Sequence, residues 1–195
     1  VIAAIKWGVV LPIGIHAMVA ELPLEDPEEP VVRNNRRRAR NNANSPPANW
    51  RNINLRGADL SYMNMSGGDI HHADLSNTNL SYADLSGANL MHANFKGANL
   101  TGAYLKGAKG ADVNMDGVNL LGAHLTDVSL PGVYMRDANL RYATLTRAKL
   151  RGADLTNTDF TSADLDGTDL RESNLGNARL GSAGLEKANL SYANL

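Results

Sequence analysis

The sequence contains no cysteine, few aromatic residues and no excess of charge of either sign. Without cysteine the protein forms no disulfide bond and has no thiol nucleophile. Aromatic residues make up 5% of the 195 residues, too few for an ordinary globular core of mixed large side chains. Lysine and arginine number 19 against 20 aspartate and glutamate, so the overall charge does not indicate a strongly charged partner.

An apolar residue at every fifth position characterises the chain from Leu55 to Leu195. This central position holds Leu, Ile, Met or Phe except at Gly110, and Trp50 continues the register toward the N-terminus. A small residue, usually Ala, lies two positions before each centre, and Asp or Asn usually lies between them. The repeat is therefore A-(D/N)-L-x-x, which predicts a repetitive architecture.

A period of five fits neither the 3.6-residue period of a helix nor the two-residue period of a strand. In extended backbone, the small residue and the centre two positions later point to the same side. The chain must then turn before the next unit, and Gly recurs two residues after the centre, as at Gly57, Gly87 and Gly107. One unit cannot bury its Leu alone, so the units are expected to stack in coils.

These repeats resemble the pentapeptide-repeat family over about three quarters of the chain. The resemblance implies an all-β solenoid, a right-handed quadrilateral β-helix of about seven coils with four repeats per coil. Residue n then stacks on residue n+20, which predicts an outward amide ladder of Asn79, Asn99, Asn119 and Asn139. Three outward pairs of opposite charge are also predicted: Asp127 with Arg147, Lys149 with Asp169, and Asp159 with Arg179.

Two segments precede the solenoid, which is predicted to span residues 50–195. Residues 1–20 are apolar except for Lys6 and His16, and twenty helical residues span about 30 Å, the thickness of a bilayer core. A signal peptide, a helix buried against a partner protein and a membrane anchor all fit this apolar helix, and the anchor is the preferred interpretation. Residues 21–49, first Pro-rich and acidic and then rich in Arg and Asn, predict an extended linker.

The predicted rod offers no concave pocket, so the sequence predicts neither an enzyme nor a cofactor. The preferred function is a non-catalytic structural or protein-interaction module. It would be a single-pass membrane protein whose rod docks onto a membrane protein complex, and the family resemblance implies a cyanobacterial thylakoid as one setting.

The alternative is a soluble DNA mimic that inhibits a type II topoisomerase, as the quinolone-resistance members of the family imply. Residues 51–195 hold 13 Lys and Arg against 15 Asp and Glu, a net charge of −2 that disfavours mimicry of DNA. Nucleic acid is not a predicted partner, and no oligomeric state is predicted. A metal-binding function rests on one weak candidate, the column of His72, His92 and Asp112 beside His71.

The candidate partner contacts are exposed apolar and aromatic residues of the rod together with residues of the two preceding segments. Met91 and Pro131 are predicted to share a column with Ala111, and Tyr62 to stack with Tyr82. The full set is Trp7, Arg36, Arg37, Arg38, Tyr62, Tyr82, Met91, Leu121, Pro131 and Tyr134.

Overall fold

The computed structural model describes residues 49–195, which form a four-sided solenoid. The regular structure in this range consists of single-residue parallel bridges at every fifth position, from Asn49 paired with Asp69 to Asn174 paired with Asn194. Every bridge joins residue n to residue n+20, which confirms the predicted twenty-residue coil. Residues 49–195 contain no helix and no strand longer than one residue.

The coil has four faces, which we number in chain order. Face I carries Asn49, face II Asn54, face III Asp59 and face IV Asn64, and each face recurs every twenty residues. Faces I and III are therefore on opposite sides of the solenoid, as are faces II and IV.

A tight turn ends each face. After Leu55, the turn is closed by the Ala58 N–H, which donates to the Leu55 carbonyl at 2.9 Å. The residue two positions after each centre adopts positive φ, which glycine tolerates without strain, as at Gly57 with φ 67°. Side chains also occupy this position, including Tyr62 at 60° and His72 at 57°. The stacked coils therefore impose the left-handed conformation even where the residue itself disfavours it.

The Asp or Asn before each centre caps the turn that follows. The Oδ1 atom of Asp59 accepts from the Ser61 N–H at 3.1 Å, and Oδ1 of Asp84 accepts from the Ser86 N–H at 2.9 Å. This Asx arrangement satisfies a backbone donor on the outside of the coil. It gives a physical reason for the repeat residue that the sequence pattern alone did not supply.

The centres and the small residues before them fill the interior as continuous columns. Phe95, Met115 and Met135 follow one another in a face II column and are fully buried, so two flexible methionines pack above a bulky ring. Hydroxyl side chains replace Ala at four buried positions, and each donates to a backbone carbonyl. The donors are Thr78, Thr158, Thr168 and Ser173.

Trp50 fills the interior at the N-terminal end of the described region. Its side chain is fully buried beside Gly68, where a Cβ atom would lie 3.0 Å from the indole Cδ1. The indole Nε1–H has no hydrogen-bond partner within residues 49–195. The same Cβ atom would lie 2.8 Å from the Met65 carbonyl oxygen, so both the turn and the ring of Trp50 favour glycine at position 68.

Gly110 marks a distortion of the backbone rather than an empty space. A Cβ atom there would lie 2.9 Å from both the Leu90 carbonyl carbon and the Met91 nitrogen. The turn from Gly110 to Val113 lacks its closing hydrogen bond, whereas every other turn from Trp50 to Ala193 is closed. The one exception to the apolar centre therefore coincides with a distorted turn and a close approach between two coils.

The predicted single-pass membrane location is contradicted. No helix within residues 49–195 is long and apolar enough to cross a membrane. Four of every five residues in the repeat are polar, turn-forming or small, so the pattern never provides the unbroken apolar stretch of about 20 residues that a spanning helix needs. The predicted helix of residues 1–20 and all but the last residue of the linker lie outside the described residues.

Candidate protein-interaction surfaces

Outward side chains occupy a regular grid, because successive coils are about 4.8 Å apart. On face III, the Asn79 amide donates to Asp59 Oδ1 at 3.0 Å, and the Asn99 amide donates to Asn79 Oδ1 at 3.3 Å. The ladder continues to the Asn139 amide, which donates to Asn119 Oδ1 at 3.0 Å. The predicted amide ladder is confirmed, and its hydrogen-bonding groups are largely engaged with one another.

Two of the predicted charge pairs form. Arg147 contacts Asp127 through two hydrogen bonds, Nε to Oδ1 at 2.7 Å and Nη2 to Oδ2 at 2.8 Å. This contact is the main cause that lowers the pKa of Asp127, and Lys106 and Lys149 act in the same direction. Arg179 lies 3.8 Å from the Asp159 carboxylate.

The predicted pairing of Lys149 with Asp169 is wrong at the level of side chains. The two residues form a backbone bridge, but the Asp169 carboxylate accepts from Arg171, two residues further on, at 2.7 Å. Arg151 Nη2 lies 2.7 Å from Glu172 Oε1. Arg151 and Arg171, which stack in one column, therefore each pair with a carboxylate. Lys149 is left exposed and without an ion-pair partner among the described residues.

Exposed aromatic side chains run along the corner between faces III and IV and the adjoining column of face IV. Tyr62 and Tyr82 stack with their ring centroids 5.3 Å apart and their planes 13° apart. One coil further on, Tyr104 stacks with His124 at 4.8 Å and 11°. Tyr142 continues the series at 58% exposure, and the other three tyrosines are about half exposed. We name these residues the tyrosine edge: Tyr62, Tyr82, Tyr104, His124 and Tyr142.

At Gly102 the aromatic series passes from the column of Tyr62 and Tyr82 to the neighbouring column of Tyr104 and His124. Its φ is 63°, and a Cβ atom there would lie 2.5 Å from Cε1 of Tyr82. The Tyr82 ring therefore lies over the backbone of the next coil, in space that any side chain at position 102 would occupy. Tyr104 and His124 lie in the neighbouring column, so the n+20 register alone does not reveal them. Gly102 and Tyr142 share the column of Tyr62 and Tyr82, but Gly102 and Gly122 interrupt the aromatic series there.

Histidines gather at the corner between faces I and II. The rings of His72 and His92 stack at 4.9 Å, and His92 Nδ1 lies 3.7 Å from Asp112 Oδ2. His71 lies 4.2 Å from His72, and partial desolvation, His72 and Arg51 lower its pKa. The predicted column therefore forms, but no group of three or more His, Asp or Glu side chains within residues 49–195 could hold a metal ion.

A shallow polar groove lies at the corner between faces II and III. The Asn157 amide donates to Asp137 Oδ1 at 2.9 Å along its floor, and Arg141, Asp159 and Arg179 line its side. The groove is open to solvent, so it does not provide the dry environment in which catalytic groups act.

Comparison with protein families accounts for this architecture. The sequence model of the pentapeptide repeats matches eight copies in this chain, over residues 69–107, 111–141, 138–177 and 169–195. The chain belongs to the pentapeptide repeat family. Membership agrees with the predicted right-handed quadrilateral β-helix, and members of this family are generally structural or interaction proteins rather than enzymes.

Solved structures of other pentapeptide repeat proteins resemble this one. HetL of the cyanobacterium Nostoc sp. PCC 7120, involved in the regulation of heterocyst differentiation, shares 31% identity over 74% of this chain and 75% of its own, with a TM-score of 0.56. A protein of the Arabidopsis thaliana thylakoid lumen shares 32% identity over 60% of this chain and 68% of its own, with a TM-score of 0.37. The fluoroquinolone resistance protein QnrB1 shares 18% identity over 75% of this chain and 82% of its own, with a TM-score of 0.48. A comparison with curated proteins gave no match.

The pentapeptide repeat fold separates several of the predicted partner contacts. Met91 and Pro131 are exposed in one column at the corner between faces I and II, as predicted. Leu121 is partly buried at the corner between faces III and IV that carries the tyrosine edge, and Tyr134 is exposed on face II. Trp7, Arg36, Arg37 and Arg38 lie outside the described residues. Of the predicted contacts, Tyr62 and Tyr82 are the pair that belongs to a larger aromatic surface, and the role of each contact stays a prediction.

Proposed function

We propose that this pentapeptide repeat protein is a non-catalytic interaction module that binds a protein partner through the tyrosine edge. The supporting observation is the series of five exposed aromatic rings at one corner of the solenoid and on the adjoining column of face IV. Tyrosine is enriched at binding hot spots because its ring buries a large area and loses little conformational freedom.

Stacking prepares the tyrosine edge for binding. The rings occupy five successive coils, a span of about 19 Å at about 4.8 Å per coil. Tyr62 and Tyr82 hold one another at 5.3 Å, and Tyr104 and His124 at 4.8 Å, so these side chains are partly ordered before a partner arrives. Binding then costs less side-chain entropy than it would on a surface of independent rotamers.

The likeness to HetL supports a binding function of regulatory type, because HetL is a pentapeptide repeat protein involved in regulating differentiation. The likeness to QnrB1 is too low in sequence identity to support anything beyond the fold. With a net charge of −2 over residues 51–195, the solenoid also lacks the dense negative charge of a DNA mimic. An interaction module is therefore the function that we favour.

The test combines Tyr82→Ser with Tyr104→Asn in the full-length chain. Both replacements occur naturally at equivalent positions, as Ser162 in the column of Tyr82 and Asn64 in the column of Tyr104. Tagged wild-type and variant proteins would be used for quantitative capture from the native host. We expect the amount of captured partner to be about tenfold lower with the double variant than with wild type. Tyr134→Asn on face II is the matched control and should capture normally. Equal capture by all three proteins would show that the tyrosine edge is not the interface.

A further inference from the structure

Six neighbouring positions on faces IV and I have lost the Asp or Asn that caps the turn. They are Tyr104, Lys109, His124, Ser129, Thr144 and Lys149. On the same two faces, the four preceding positions and the two following ones carry the Asp or Asn cap. These are Asn64, Asp69, Asp84, Asn89, Asp164 and Asp169. We name residues 104–109, 124–129 and 144–149 the basic block.

Loss of the cap has a structural cost. All six flanking caps accept the N–H two residues on, as Asp84 does from Ser86 at 2.9 Å and Asp164 from Asp166 at 3.0 Å. Within the basic block, five of the equivalent N–H groups have no acceptor among residues 49–195, and the sixth position is Pro131, which has no N–H. When neighbouring positions lack the Asp or Asn cap and no other acceptor replaces it, the residues there are expected to be present for function.

The side chains that replace the caps make the block positive. It carries Lys106, Lys109, Arg147 and Lys149, all exposed, together with His124. Its single carboxylate is Asp127, which Arg147 holds through two hydrogen bonds of 2.7 and 2.8 Å. The three lysines have no ion-pair partner within residues 49–195. The block thus already binds one carboxylate, and its three unpaired lysines are available to bind others.

Carboxylates limit the block at both ends. On the same faces, the preceding coils carry Asp69 and Asp84, and Arg51 at the neighbouring corner lies 3.4 Å from Asp69. The following coil carries Asp164, Asp166 and Asp169, of which Asp169 is held by Arg171 at the next corner. A long polyanion such as duplex DNA that extended along the solenoid would meet these carboxylates. A short anionic segment, about 10 Å across three coils, would not.

We infer that the basic block binds a short acidic segment of a partner protein, next to the tyrosine edge with which it shares Tyr104 and His124. The inference rests on the proposed interaction function and specifies the chemistry of the partner. Lysine and arginine side chains would pair with the partner's carboxylates, and the adjacent aromatic rings would take its apolar residues.

The test uses full-length protein and a fluorescein-labelled peptide with four consecutive glutamates, followed by fluorescence anisotropy at low salt. Lys109→Asn with Lys149→Asn restores two caps and removes two cations. We expect affinity for the peptide to fall about tenfold while the melting temperature rises by about 2–4 °C. Lys96→Asn with Lys187→Asn removes the same charge outside the block and should leave the affinity unchanged.

Loss of binding together with higher thermal stability is a result that misfolding cannot produce. Equal affinity of wild type and the Lys109/Lys149 variant overturns the inference, as does a melting temperature that fails to rise. Tighter binding of a 12-base-pair duplex than of the peptide would assign the block to nucleic acid instead.

The chain's own acidic segment provides a further control, because residues 21–30 carry Glu21, Glu25, Asp26, Glu28 and Glu29. If the peptide binds only after these are changed to amides, the occupant is that segment, and the assignment to a partner fails. The capture experiment on the tyrosine edge is independent. Partner loss there with no peptide binding here would leave the proposed function intact.

Discussion

Single residues in this protein are constrained by what lies one coil away. Gly57 and Gly107 have open space where a Cβ atom would stand, so at these positions positive φ alone favours glycine. Gly102 is constrained in addition by the ring of Tyr82, and Gly110 by the backbone of the preceding coil. Gly57, Gly102 and Gly107 occupy the same repeat position and still differ in their physical requirements, and Gly110, at a centre, differs from all three.

Gly110→Leu should destabilise the protein, although it restores the repeat consensus. The added side chain would collide with the backbone at Leu90 and Met91, both 2.9 Å from a Cβ atom, and with the side chain of Val113. We expect a loss of about 1–3 kcal/mol in the free energy of unfolding, measured by urea denaturation. Gly181→Ala, with no atom within 4 Å of its Cβ, is the control and should be nearly neutral. A stabilised leucine variant would mean that the interior has room at this coil.

At the level of the five-residue element, the centre contributes stability only when a further coil covers it. Leu120 is fully buried in the middle of the solenoid, whereas Leu195 is 77% exposed. Leu120→Asp would bury an unpaired carboxylate, and we expect the free energy of unfolding to fall by about 3–5 kcal/mol or more. Leu195→Asp should change stability by about 0.5 kcal/mol or less. Similar melting curves for the two variants would contradict the assignment of the core, and thermal unfolding followed by circular dichroism distinguishes the cases.

The same element shows what a sequence reveals and what it does not. The five-residue period places every inward residue and the n+20 register, because burial depends only on spacing. It predicts which outward residues are neighbours, as with Asp127 and Arg147 at 2.7 Å. It does not predict which neighbour a long side chain chooses, and Asp169 bonds Arg171 rather than Lys149 because Arg171 reaches it within the same turn. The tyrosine edge crosses between columns, which a comparison within one column cannot detect.

Across the whole molecule, each coil adds to the free energy of unfolding. The outward columns line up only when residue n stacks on residue n+20. Repeat proteins of this kind behave approximately as a sum of unit stabilities and nearest-neighbour contacts. Deletion of any multiple of five residues preserves the inward pattern, but only a multiple of twenty preserves the outward columns.

Deletion of residues 96–115 should therefore cost less stability than deletion of residues 96–105, although it removes twice as much chain. The longer deletion removes one full coil, including the distorted turn at Gly110, and places Asn119 directly above Asn79 so that the amide ladder continues. The shorter deletion places Lys109 above Asn79, ending the ladder, and leaves Gly110 above Leu80 in the core. We expect the longer deletion to melt within a few degrees of wild type and the shorter one at a clearly lower temperature, as measured by calorimetry. If the shorter deletion were the more stable, outward ladders would contribute little, and the inward columns alone would determine how the coils stack.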